Sequence, residues 1–303
     1  MTPHIPSKLI VEDLIMKNVL NVFTAPHPHW VGDGFPAKTL FSYQDHGKSV
    51  SPFLLLDYAG PMQFSAADHK RGVGVHPHRG FETVTLVYEG EVAHKDSTGQ
   101  HGTIGPGDVQ WMTAGSGILH EEFHSEAFTR TGGMLEIMQL WVNLPQDDKM
   151  TSPGYQTITA GQIPYLEVPD QSGTLRLIAG ELAGLTGPAR THTPMLVMDG
   201  ILKASARYQL SIEEGWSAIV VVRKGEVKVN GQPLTAGQTV ILSQVGVGLE
   251  LEATQNSELL ILSGEPIDEP LVGYGPFVMN TEAEIKQAMT DFQTGKFGAL
   301  KHG

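Results

Sequence analysis

Two short histidine motifs pose the chemical question. Residues 74–91 read GVHPHRGFETVTLVYEGE and contain His76 and His78; residues 25–30 read APHPHW and contain His27 and His29. A neutral imidazole is a good metal ligand, and two on one side of a strand can address a single ion. Pro77 keeps His76 out of the helical region. In extended chain, residues two apart share a face, so His76 and His78 point the same way. Proline belongs at the start or edge of a strand, and a strand-forming run begins directly after this pair.

Further ligands must come from another strand, and residues 118–123, ILHEEF, supply them. His120 and Glu122 share a face, while Glu121 points away. Three imidazoles and one carboxylate would leave a divalent ion with a net charge of about +1 and up to two open positions in octahedral geometry. That describes a catalytic metal site rather than a closed structural one. Imidazole and carboxylate suit Fe, Mn, Co, Ni, Cu or Zn, and the spacing does not choose among them. The chain has no cysteine, which excludes disulfides, thiolate metal sites and a cysteine nucleophile.

Other candidates rank below this set. Glu82 has the parity of His76 and His78, so it could face the ion or orient one of the histidines from behind. His27 and His29 are flanked by prolines and followed by Gly32-Asp33-Gly34-Phe35-Pro36, a turn-rich loop context that argues against a metal pair. His94, His101, His124 and His192 read as surface or loop groups, although His124 keeps the parity of His120. Trp111 and Met112 read as core.

Short strands must position these groups. Residues 53–58 form a short apolar run, and residues 81–88 alternate with period two. Glu89-Gly90 turns the chain into a return strand over 91–95, a loop over 96–100, a turn at Gly105-Pro106-Gly107 and a strand over 109–113. Strands at this spacing, with 35 glycines and 19 prolines among 303 residues, indicate an all-β sandwich or barrel. The texture recurs at 216–242, where Lys224-Gly225-Glu226-Val227 repeats Glu89-Gly90-Glu91-Val92. Aligning the two hairpin glycines gives an offset of 225 − 90 = 135 residues. The chain reads as an internal duplication: one domain over 1–150 and another over 151–303, with Pro145, Pro153, Pro164 and Pro169 marking the boundary region. At that offset His76, His78 and His120 map to Ser211, Glu213 and Gln255, so the second copy is expected to hold no metal. Near the C-terminus, Thr281 and Glu284 form a capping box. Ile285, Ala288, Met289 and Phe292 then make one apolar helix face, ended by Gly295.

A His-x-His pair, a Glu, a hairpin Gly, then Pro-Gly-Asp and a distant His resemble the two-part signature of the cupin superfamily; here its first part is Gly74, His76, His78, Glu82 and Gly90. HPHRGFETVTLVYEGE, GPGDVQWMTAGSGILHEE, MQLWVNLP and GPFVMNTEAEI look like segments of one family, the pirins, and PFLLLDYAGP and VGDGFP extend the likeness over about residues 30–295. The resemblance implies a bicupin: two jelly-roll β-barrels in one chain with a short C-terminal helix, and a metal in the first barrel only. It assigns His76, His78, His120 and Glu122 as ligands and sets Glu82 aside. Gly115 and His124 depart from the general cupin pattern, where proline and asparagine are usual.

The resemblance further implies a quercetin 2,3-dioxygenase-like activity, in which one divalent metal and O2 open the heterocycle of a flavonol. Iron is the first choice, with Ni, Mn, Cu, Co or Zn as alternatives, and Glu122 is the candidate general base. The alternative it implies is a non-enzymatic, iron-dependent redox regulator that binds a protein partner. The net charge of −13 disfavours direct nucleic-acid binding. No stretch approaches the ~18 apolar residues of a membrane span, and the N-terminus lacks a secretory pattern. A cytoplasmic monomer is expected.

Overall fold

The computed structural model describes residues 14–25 and 27–300. Residues 1–13, which carry most of the reading of the N-terminus, lie outside this range. Among the described residues no helix is long and apolar enough to cross a membrane.

The described chain forms two compact units. One comprises the described residues of 25–163, 188–194 and 266–300; the other comprises the described residues up to Thr24 with 164–187 and 195–265. Each pairs a four-stranded with a seven-stranded antiparallel sheet. In the first unit the small sheet runs Gly72–His78, Ile118–His124, Val92–Asp96, His101–Ile104. Its large sheet runs Gly154–Ile158, Val109–Thr113, Phe81–Glu89, Gly133–Asn143, Phe53–Phe64, Phe35–Ser42, His29–Val31. In the second unit the small sheet runs Arg207–Ser211, Gly248–Ala253, Glu226–Val229, Gln232–Thr235. Its large sheet runs Val19–Thr24, Gln238–Leu242, Ser217–Lys224, Ser257–Gly264, Met195–Leu202, Gly173–Ala179, Tyr165–Val168. Position for position the strand orders match, so the duplication read from the two hairpins is a duplication of the whole barrel.

The units do not follow the expected division at residue 150. Strand Val19–Thr24 pairs with Gln238–Leu242, and the chain from 266 onward, C-terminal helix included, belongs to the first unit. A sheet edge left bare exposes unpaired backbone groups. Val19–Thr24 covers that edge in the second barrel, as Gly154–Ile158 covers Val109–Thr113 in the first.

The single offset also fails beyond the first hairpin. It is 135 at Gly90 and Gly225, 232 − 101 = 131 at the fourth small-sheet strand, and 238 − 109 = 129 at the next large-sheet strand. The turns of the second barrel are shorter: Val229 to Gln232 is bridged by two residues, Asp96 to His101 by four. Gln255 therefore falls in an exposed turn after Gly248–Ala253 rather than at the place of His120.

The second barrel closes on one continuous apolar cluster that joins Leu210, Val227, Val229, Leu249 and Leu251 of the small sheet to Leu175, Met198, Val220, Val240 and Ile261 of the large sheet. Burying each such side chain contributes about 1.5–3 kcal/mol. The helix Glu282–Gln293 starts as its capping box requires: Thr281 N donates to Glu284 Oε2 at 2.8 Å, and Glu284 N to Thr281 Oγ1 at 3.2 Å. Ile285 and Ala288 are buried, and so is Asp291, a carboxylate on the packed face.

Candidate metal centre

Strands Gly72–His78 and Ile118–His124 are neighbours, with His78 opposite Ile118 and His120 opposite His76. The register then slips, so that Glu122 faces Val73, which places one extra residue at Gly74–Val75. Such bulges re-aim side chains. Here the bulge carries the Gly74 carbonyl, 2.8 Å from His76 Nδ1. That contact fixes one ring nitrogen of His76 and leaves the other to face inward.

The result is a cluster of three imidazoles. One ring nitrogen each from His76, His78 and His120 lie within 4.8 Å of one another, and ring centroids are 4.1–4.9 Å apart. His78 and His120 are buried, whereas His76 is half-buried and opens the cluster to the outside. Burial holds all three below the ordinary histidine value, well below for His78 and His120, where neighbouring histidines add to the effect. All three are thus neutral at neutral pH, the form a metal needs. His78 Nδ1 and His120 Nε2 are buried with no hydrogen-bond partner in the protein. An unsatisfied buried nitrogen costs about 1–3 kcal/mol, and a shared cation would engage both. The donor set fits a divalent cation.

Glu122 stands beside this cluster rather than within it; among the described residues, the group close enough to share an ion is the three histidines. Its carboxyl is crowded by protein near Thr85 of the opposing sheet, whose hydroxyl donates to Gln139 Oε1 at 2.8 Å. Burial pushes the Glu122 carboxyl up to about 7, against the opposing effect of Thr85. Glu82, the rival, is turned elsewhere: it accepts from Thr113 Oγ1 at 2.6 Å and lies 4.0 Å from His192.

Two histidines read as surface groups are buried. His124 packs among Phe35, Phe64 and Phe128 and sits 2.9 Å from the Gly34 carbonyl. His94 lies opposite Glu122, and Asp96 opposite His120. The His94 ring stacks on Tyr155 at 4.9 Å, and neither of its nitrogens has a partner. Burial lowers it to about 4. Gly102 makes room for it, since a Cβ there would come within 2.9 Å of His94 Nε2. Asp96 Oδ1 accepts from Thr98 N, Thr98 Oγ1 and Gln100 N, while Oδ2 is unpaired. The parity of His94 and Asp96 in a strand neighbouring His120 and Glu122 could have flagged both; nothing local flags Tyr155 or Thr85. His101 is exposed, as are His27 and His29. His29 begins a short edge strand instead of lying in a loop. Trp111 and Met112 are core, as expected.

A family model described as "Pirin" matches residues 34–142, and one described as "Pirin C-terminal cupin domain" matches 197–298. A Pseudomonas aeruginosa protein provisionally named as a quercetin 2,3-dioxygenase is 55% identical over 282 residues, covering 93% of this chain and 99% of its own length. Pirin from Homo sapiens is 38% identical over 258 residues, with 83% and 84% covered. A crystal structure of quercetin 2,3-dioxygenase from Acinetobacter baumannii superposes with a TM-score of 0.92 at 52% identity, covering 94% of this chain and all of that one.

Proposed function

We propose that this chain, which belongs to the pirin family, is a metal-dependent dioxygenase that opens the heterocycle of a flavonol such as quercetin with O2. The observation that carries the reading is the cluster of three neutral imidazoles, two with unpaired buried nitrogens and the third open to the outside. Relatives named for quercetin 2,3-dioxygenase at 55% and 52% identity support it.

His76, His78 and His120 would hold one divalent cation, with Glu122 as fourth ligand; iron is the first choice. When bound, that cation supplies a Lewis acid for the substrate's 3-hydroxyl and a centre where O2 can react. Glu122 accepts the 3-hydroxyl proton. A carboxylate two residues from His120 on the same strand face is placed for that task. The stack of buried His94 on half-buried Tyr155 forms a wall beside Glu122 that offers a flat aromatic guest a flat surface. The buried apolar residues Met112, Ala114 and Ile118 exclude water behind it. We place the protein in the cytoplasm, as a monomer acting on a small aromatic molecule.

The test is elemental analysis of the purified protein together with flavonol turnover under air after reloading with Fe, Ni, Mn or Co. Turnover that tracks bound metal is expected. A protein that holds metal yet leaves flavonols intact under all four loadings would overturn this reading, and a partner captured in only one oxidation state would favour the regulator.

A further inference from the structure

Residues 266–300 belong to the unit of the metal centre, and several of their contacts converge on the residue after His78. Arg79 is 4% exposed, and all its polar contacts concern either a ligand-bearing segment or the C-terminal segment. Its Nε donates to the Ser116 carbonyl at 2.7 Å, in the loop that leads to His120. Its Nη1 donates to Asp291 Oδ2 at 2.9 Å, on the helix Glu282–Gln293. Its backbone N–H donates to the Pro276 carbonyl at 3.2 Å, and its carbonyl accepts from Val278 N at 3.1 Å. The same Pro276 carbonyl lies beside the His78 ring.

Asp291 is built for this. Lys296 Nζ at 2.7 Å and Gln287 Nε2 at 2.8 Å donate to Oδ1, leaving Oδ2 for Arg79. These donors, Lys296 first and Arg79 next, hold the carboxyl well below the usual carboxylate range. The Arg79 guanidinium lies 4.7 Å from the Phe297 ring centroid. Phe297 in turn covers Gly117, where a Cβ would come within 2.5 Å of the ring. One guanidinium thus ties the segment ending in His78 to the loop preceding His120, and Asp291 fixes that guanidinium from 212 residues away. Groups that orient metal-binding histidines from behind tune affinity by about 10–100-fold.

We propose that Asp291, acting through Arg79, is a positioning residue of the metal centre: the C-terminal segment holds His78 and the approach to His120 in register for one cation. This rests on reading His76, His78 and His120 as a cation site. The full-length protein and its Asp291→Ala, Asp291→Asn and His78→Ala variants are stripped of metal and titrated with Co(II). Affinity is read by competition with a chelator, site geometry by the visible Co(II) spectrum, and folding by far-ultraviolet circular dichroism. Asp291→Ala is expected to fold, to bind about 10–100-fold more weakly, and to show an altered spectrum. Asp291→Asn keeps an acceptor for Arg79 and recovers part of the loss, while His78→Ala abolishes the site. Wild-type affinity within about twofold and an unchanged spectrum in Asp291→Ala would overturn the proposal while His78→Ala still upholds the site. Should Asp291→Ala fail to fold, the same criteria apply to Asp291→Asn. If the unmutated protein and His78→Ala respond to Co(II) alike, the site itself is misread and the proposal falls with it.

Discussion

On the small sheet of the first barrel, the buried positions hold His78, His94, Asp96, His120 and His124 beside Val92, Ile104 and Ile118; on that of the second they hold Leu210, Val227, Val229, Leu234, Leu249 and Leu251 and no charged or imidazole side chain. The strand orders are the same. Among the described residues, buried side-chain polar atoms without partners gather in the first unit, at His78, Glu82, His94, Asp96, Trp111, His120, Tyr155, Thr193 and Asn280; the second has Thr239. One copy of the fold uses its interior for stability, and the other gives up part of that stability to keep polar groups ready for a ligand. What both copies keep is also instructive. A buried lysine stands just ahead of each edge-covering strand. Lys149 Nζ donates to Gly80 O, Asn143 Oδ1 and Val278 O, and Lys17 Nζ donates to Trp216 O, Ser243 O and Gln244 O. Gly80 and Trp216 each immediately precede the corresponding strand, Phe81–Glu89 or Ser217–Lys224. The lysines close the barrels alike; the imidazoles distinguish them.

Variants can break this comparison, and the largest effect is expected at the ligands. His78→Ala or His120→Ala should take bound metal from about one ion per chain to background and abolish flavonol turnover with it; full turnover without metal contradicts the assignment. Glu122→Gln should lower turnover by about 10²–10⁴-fold, the usual share of a general base. It should also flatten the pH dependence of cation binding. In the unmutated protein affinity should rise from pH 6 to 8, because the cation competes with a proton on Glu122 held at about 7, whereas the histidines, shifted below their ordinary value, have already lost theirs. The linkage sign agrees: an acid raised on folding favours the fold most at low pH and loses that contribution as pH rises through about 7, unless a cation takes the proton's place.

Lys149→Met and Lys17→Met should each cost about 3 kcal/mol in denaturant unfolding, since buried carbonyls lose their donor; a loss confined to one would deny the shared role. His94→Leu should stabilise the protein by about 1 kcal/mol by removing two unsatisfied nitrogens, while weakening flavonol affinity. A destabilised variant would mean that His94 is satisfied by water and structural. Smallest of all, His27→Ala should leave metal content unchanged and stability within about 0.5 kcal/mol.

Much of this was legible in one dimension. Period-two alternation and glycine turns marked the strands over 81–89, 92–96 and 109–113, and His-x-His with His-x-Glu marked the site. His94 and His124 were misplaced because a histidine in a short polar-looking strand carries no local sign of burial; what faces it decides. The duplication was visible at one hairpin, but extrapolating its offset failed where turn lengths differ.

The sequence by itself determined the all-β duplication, the three imidazoles and their shared face, since alternation in an extended chain is local geometry. Only the tertiary structure decided that Glu122 stands beside the imidazoles while Glu82 turns to Thr113, that His94 stacks on Tyr155, and that Asp291 reaches Arg79. Each of those depends on register, a bulge or a packed helix, and these are set by pairing between segments far apart in the chain, which no local pattern encodes.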